Sequence, residues 1–170
     1  MKTNDHRLKI AFIGAGGINS LAHYDAVQAH PELYEILGVC DPVIPAAEKL
    51  AERCGPQTKP FASMEALYEA IGDQVEGVVI GTPHFQHEPG GIFFLERGIP
   101  ILMEKPVTCN LRELEALQAL EKDGVFVQVA QMQRFDPEAM WLKDYVQSPE
   151  TFGELVSFDL NVWQNIQGYV

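Results

Sequence analysis

Short apolar runs alternate along the chain with longer amphipathic segments, and this rhythm restricts the fold more than any other feature. Leu8–Ile13 reads as a buried strand stopped by Gly14, followed by a helix from about Gly17 to Ala29 that His30-Pro31 ends. Tyr34–Cys40 is the next strand, and Ile44–Arg53 the next helix, closed by Cys54-Gly55-Pro56. Ser63 caps a short helix through about Ile71, and Val75–Ile80 is a strand. Pro89–Arg97 reads as a helix ended by Gly98, and Ile99–Met103 as a strand. Asn110 with Glu113 is a capping box for a helix running to Glu121, and Val125–Ala130 is the last apolar run. Runs such as Val78-Val79-Ile80 do not alternate with polar residues, so both of their faces are expected to be buried. The pattern predicts an α/β fold: a doubly wound parallel sheet with helices on both faces.

After Ala130 the rhythm changes. Asp136-Pro137 is an N-cap followed by proline at the first helical position, opening a helix to about Gln147 that Ser148-Pro149 breaks. From Gly153 to Trp163, Val156, Phe158, Leu160 and Val162 fall on one side, with Ser157, Asp159 and Asn161 on the other. That is the pattern of a half-buried antiparallel strand, a different kind of sheet from the first part. Two domains are therefore expected: residues 1–133, and over 134–170 the first helix and strand of a truncated α+β domain. An apolar strand face without the rest of its domain is an aggregation hazard. Self-association, pairing with a chain that carries the missing half, or disorder of this segment is expected.

Charge and cysteine usage narrow the partners. Twelve Lys and Arg against 24 Asp and Glu leave a net charge of −12 in 170 residues. Such a field repels nucleic-acid phosphates and anionic lipid head groups, so neither is expected as a partner. No apolar run approaches the roughly 20 residues that span a bilayer, and residues 1–9 lack the apolar core of a secretion signal. Cys40, Cys54 and Cys109 are odd in number and far apart, which suits neither a disulfide framework nor a thiolate zinc site. A soluble cytoplasmic protein is expected.

Chemistry enters at Gly14-Ala15-Gly16-Gly17-Ile18-Asn19, directly after a strand and opening a helix. Gly14 permits a tight turn and Gly16 lets the backbone approach a pyrophosphate. Gly17 and Ile18 begin the helix, whose free N–H groups and dipole favour anions. The third position of this fingerprint is normally Gly or Ala and here is Asn19, whose amide is expected to find a local hydrogen bond. A glycine turn alone serves geometry as often as binding. Asp41 adds the acid that the fingerprint places on the adenosine ribose, at the end of the second strand and 22 residues beyond Asn19. Asp-Pro also initiates helices, and the two roles are compatible. Together these residues predict a Rossmann-type dinucleotide site, and an acid that repels a 2′-phosphate favours NAD over NADP.

Two further stretches carry a family resemblance: Gly81-Thr82-Pro83-His84-Phe85-Gln86-His87 and Glu104-Lys105-Pro106, each directly after a strand. With the glycine turn, and with Gln133-Arg134-Phe135-Asp136-Pro137 further on, the chain resembles the glucose–fructose oxidoreductase and inositol dehydrogenase (Gfo/Idh/MocA) family over essentially its whole length. The resemblance implies that Lys105 sits beside the nicotinamide and contacts the reacting oxygen of the substrate. An ammonium there stabilises developing alkoxide charge and can exchange a proton. It further implies that Thr82, Pro83, His87, Glu104, Pro106 and Arg134 shape or contact the cofactor site. His84 stands where the family more often has Asn. His23 lies near a family histidine but is one residue further from the glycines, so no role is carried over to it. His84 and His87 have no third ligand at metal-binding spacing, and no metal is expected.

The function implied is an NAD-dependent oxidoreductase that moves a hydride between nicotinamide and a CH–OH group of a sugar, polyol or related compound. In the family an Asp and a His four apart complete the acid–base chemistry. Asp159 is followed four residues later by Trp163, so this chain shows no such pair. The competing reading is a non-catalytic NAD(H)-binding module, or a regulatory or interaction subunit.

Overall fold

Among the described residues of the computed structural model (6–148, 150, 153, 154, 156, 157 and 159), six strands form one parallel sheet. They are β1 (Leu8–Ile13), β2 (Tyr34–Cys40), β3 (Lys59–Phe61), β4 (Gly77–Ile80), β5 (Ile101–Met103) and β6 (Val127–Val129). Their order across the sheet is β3-β2-β1-β4-β5-β6, and every neighbouring pair is parallel. This is the doubly wound order, which reverses between β1 and β4 and opens a crevice at the carboxyl ends of the strands. The crossovers carry α1 (Tyr24–Gln28), α2 (Ile44–Cys54), α3 (Met64–Ile71), α4 (His87–Glu96) and α5 (Leu111–Gln118).

Alternate residues of the central strands feed two cores. Ala11, Ile13, Val78, Ile80, Ile101 and Met103 pack with Leu67, Phe94 and Leu117 of α3, α4 and α5 on one face. Ile10, Phe12, Val39 and Val79 pack with Ala47, Leu50 and Ala51 of α2 on the other. All four residues of β4 are buried, as its unbroken apolar run requires. Removing a side chain such as Phe12 or Leu50 from water contributes about 1.5–3 kcal/mol each, before any cavity cost.

The caps that sequence patterning predicts are present. Ser63 accepts from the Ala66 N–H at 3.2 Å, and Asn110 accepts from the Glu113 N–H at 3.1 Å while Glu113 reaches back to the Cys109 N–H at 2.8 Å. Several elements start or end up to three residues from their expected bounds, and two in the first part of the chain differ in kind. β3 is too short and polar to show as an apolar run, and its Pro60 is tolerated because the strand lies at the sheet edge. The helix expected from Gly17 begins as a π-wound turn, Ile18–His23, and becomes α-helical only at Tyr24.

The chain divides into two compact units, Met1–Ala130 and Gln131–Val170. The second contains a 3-10 turn, Met132–Phe135, and α6 (Pro137–Val146), where Asp136 accepts from the Glu138 N–H at 3.1 Å. Much of the alternating segment from Gly153 to Trp163, including Phe158, Leu160 and Val162, lies outside the described residues. Gly153, Glu154, Val156, Ser157 and Asp159 are described, and none of them is in a strand.

Candidate functional site

The glycine turn leaves β1 with Gly14 at φ +91°, a conformation that an L side chain rarely adopts. Space imposes the same choice, since a Cβ here would lie 2.9 Å from the Gly81 carbonyl oxygen. The turn is tied to its neighbours on both sides. Gly14 N–H donates to the Cys40 carbonyl at 2.7 Å, and Gly81 N–H donates to the Ile13 carbonyl at 2.9 Å. Gly16 and Gly17 are exposed, and a Cβ on either would meet nothing within 4 Å. Backbone is thus presented to open space where a phosphate ligand would approach, with Ile18 half-buried behind it.

Asp41 follows β2 and uses both carboxylate oxygens. One accepts from the Ala15 N–H at 2.8 Å, inside the glycine turn, and the other from the Val43 N–H at 2.8 Å, ahead of α2. An ionised carboxylate offers about four acceptor positions, so these two bonds leave capacity for ribose hydroxyls. Asn19, fully buried, donates through its amide to the carbonyls of Ile13 and Gly14 at 2.9 and 2.8 Å. This is the local hydrogen bond expected of it. Its Oδ1 has no partner and faces Gly81, where a Cβ would come within 2.6 Å.

These residues line a cleft of about 540 Å³ at the carboxyl ends of β1, β2 and β4. Gly14, Gly16, Asp41, Thr82 and Pro83 form its walls. A larger hollow, about 650 Å³, lies on one sheet face among apolar side chains such as Val79, Leu102 and Phe126. It includes neither the glycine turn nor Asp41, so the smaller cleft is the candidate site. Burial pushes the Cys40 thiol at the cleft wall up to about 12, with the charges of Asp41 and Glu65 adding to the effect. That thiol is no nucleophile at neutral pH.

The Thr82–His87 and Glu104–Pro106 segments are joined by side chains. Glu104 N–H extends the β4–β5 pairing by donating to the Ile80 carbonyl at 3.0 Å. His87 has 0% of its surface exposed, and its ring nitrogens lie 2.8 Å from the Pro106 carbonyl and 3.0 Å from the Thr82 carbonyl. A neutral imidazole carries one N–H and serves one of these carbonyls at a time; only the imidazolium serves both. Of the two roles expected for it, shaping the site or contacting the cofactor, the buried ring has the geometry of the first: it clasps two loops. The same carbonyls make it unsuited to bind a metal. His84 is exposed, with its ring 5.6 Å from that of His87.

Glu104 is 5% exposed, and its two oxygens meet His23 Nε2 at 2.9 Å and the Lys105 N–H at 3.1 Å. It shapes its loop from beneath. Lys105 and Pro106 are exposed, joined by a cis peptide bond. Among the described residues the Lys105 ammonium has no ion-pair partner. Arg134 belongs to the second unit, exposed on the turn Met132–Phe135, with its own N–H donating to the Gln131 carbonyl. The pairing of His23 with Glu104 was not legible from sequence, because the π-wound turn that aligns His23 leaves no mark in the apolar pattern.

The sheet order, a glycine turn at its switch point and an acid after β2 define a dinucleotide-binding α/β domain. The cradle fits the group: it is open at Gly16 and Gly17, closed to side chains at Gly14, and flanked by an acceptor at Asp41. Residues 8–131 match the Gfo/Idh/MocA oxidoreductase family with an NAD-binding Rossmann fold, and the chain belongs to that family. It is 35% identical over 147 residues to inositol 2-dehydrogenase 4 of Saccharopolyspora erythraea, covering 82% of this chain and 41% of that one. A myo-inositol dehydrogenase from Corynebacterium glutamicum superposes with a TM-score of 0.73 at 32% identity, over 85% of this chain and 42% of that structure. The WlbA dehydrogenase of Chromobacterium violaceum, solved with NADH and UDP-GlcNAcA, gives 0.75 at 25% identity, over 86% and 41%. The chain thus spans less than half the length of these relatives.

Proposed function

We propose that this chain is the cofactor-binding part of an NAD-dependent dehydrogenase acting on a CH–OH group of an inositol-like polyol. The observation that carries the reading is the continuity of the site. Gly14 abuts Gly81, His87 ties the Thr82 loop to Pro106, and the Glu104 carboxylate holds the Lys105 amide. A cradle for pyrophosphate is thereby joined to a free ammonium by a short series of contacts. Asp41 favours NAD over NADP, since a 2′-phosphate would meet a carboxylate. Bound NAD supplies the hydride acceptor or donor. Lys105 then stabilises charge on the substrate oxygen and exchanges a proton with it at Nζ.

The 1–133 stretch serves the cofactor, and residues 134–170 belong to the part that holds substrate. Inositol dehydrogenases among the relatives support a polyol as the substrate class. A cytoplasmic location is in keeping with three cysteines that form no disulfide. Calorimetric titration should show NADH bound in preference to NADPH, and a panel of inositols and sugars should reveal NADH production that Lys105→Ala abolishes without loss of NADH binding. Failure to bind either nucleotide, or turnover indifferent to Lys105→Ala, would overturn the assignment.

A further inference from the structure

His23 and Glu104 are 81 positions apart, and both are nearly excluded from water, at 8% and 5% exposure. A buried carboxylate must be paired or it costs the protein stability. Glu104 is paired twice, by His23 Nε2 at 2.9 Å and by the Lys105 N–H at 3.1 Å. An ionised carboxylate only accepts, so the imidazole must carry its proton on Nε2. We propose that His23 is a positioning residue for Lys105, acting through Glu104, and that the π-wound turn Ile18–His23 exists to aim it. This rests on the assignment of Lys105 to the reacting end of the site.

Helical phase explains the winding. Each residue of an α-helix advances about 100° around the axis. Wound as α-helix throughout, Ile18–His23 would carry the imidazole to a different angle about the axis, away from Glu104. A π-turn takes up one residue within a single turn, and ordinary α geometry resumes at Tyr24. The imidazole thereby meets the Glu104 carboxylate, which directly follows β5. The same turn begins at the glycines and encloses Asn19, whose amide holds the carbonyls of Ile13 and Gly14. The glycine cradle and the Lys105 loop are therefore linked by one rigid turn and one carboxylate, both within the first compact unit.

The test follows amide exchange by NMR on the 170-residue chain, with NADH titration run in parallel. His23→Leu removes the donor and should speed exchange of the Lys105 amide about tenfold or more, while core amides such as those of Val39 and Leu117 stay protected. His23→Gln restores a donor near the Nε2 position and should hold Lys105 exchange near the wild-type rate. Uniform acceleration of all amides in His23→Leu, or no change at Lys105, would overturn the proposal, as would a glutamine variant as damaged as the leucine one. If His23→Leu does not fold, the wild-type imidazole 15N spectrum still decides: a proton on Nδ1 alone contradicts the arrangement, and one on Nε2 supports it. Absence of NADH binding in every variant would instead strike the cofactor assignment and leave the exchange result standing.

Discussion

The two sides of the candidate site are built by different means. On the side of β1 and β2 the site is mostly backbone: a glycine at positive φ, two open glycines and a single acid spaced by one crossover. On the side of β4 and β5 it is held by side chains reaching between loops, with His87 spanning Thr82 and Pro106 and Glu104 spanning His23 and Lys105. The first side can be damaged by adding atoms. The second is damaged by removing them.

The largest expected effect is on the backbone side. Gly14→Val forces a β-branched residue to φ +91° and drives its Cβ toward the Gly81 carbonyl. It should cost about 3 kcal/mol of stability, and NADH binding should disappear in calorimetry. A variant that binds NADH normally would show that this wall tolerates side chains after all. On the opposite side, His87→Leu removes the imidazole that bridges the Thr82 and Pro106 carbonyls. Urea unfolding should register a loss of about 2 kcal/mol, with NADH affinity falling less than in Gly14→Val. Equal losses of affinity in the two variants would erase the distinction between the walls.

Asp41→Ala removes acceptors from the Ala15 and Val43 amides. Affinity for NADH should fall by about tenfold, the equivalent of one hydrogen-bonded charge, and the preference over NADPH should narrow or reverse. Titration with both nucleotides reads this directly. The smallest effect concerns Cys40, whose thiol is pushed from an ordinary value of 9.0 to about 12 by burial and then by the charges of Asp41 and Glu65. Its contribution to stability is intact below pH 9.0 and erodes as the pH climbs toward 12, because the unfolded thiol releases its proton first. At pH 8, iodoacetamide should modify exposed Cys109 at least about tenfold faster than Cys40, as mass spectrometry of partly labelled protein would reveal.

What the sequence by itself determined is whatever depends on local chemistry or on a repeating period. The strands Leu8–Ile13 and Tyr34–Cys40 could be read to the residue, since an apolar run bounded by Gly or Asp has few other uses. The Ser63 and Asn110 caps, the proline-led α6 and the glycine turn with its acid were legible for the same reason: each needs only a fixed spacing along the chain. Tertiary structure alone decided the features that require distant segments to meet. The short edge strand β3 exists because β2 offers it a partner. His23 meets a glutamate 81 positions away at the end of a π-wound turn, and His87 bridges two loops that close over it. Periodicity reports which face of an element is buried, but the groups that a buried polar side chain will meet are set only when the sheet assembles.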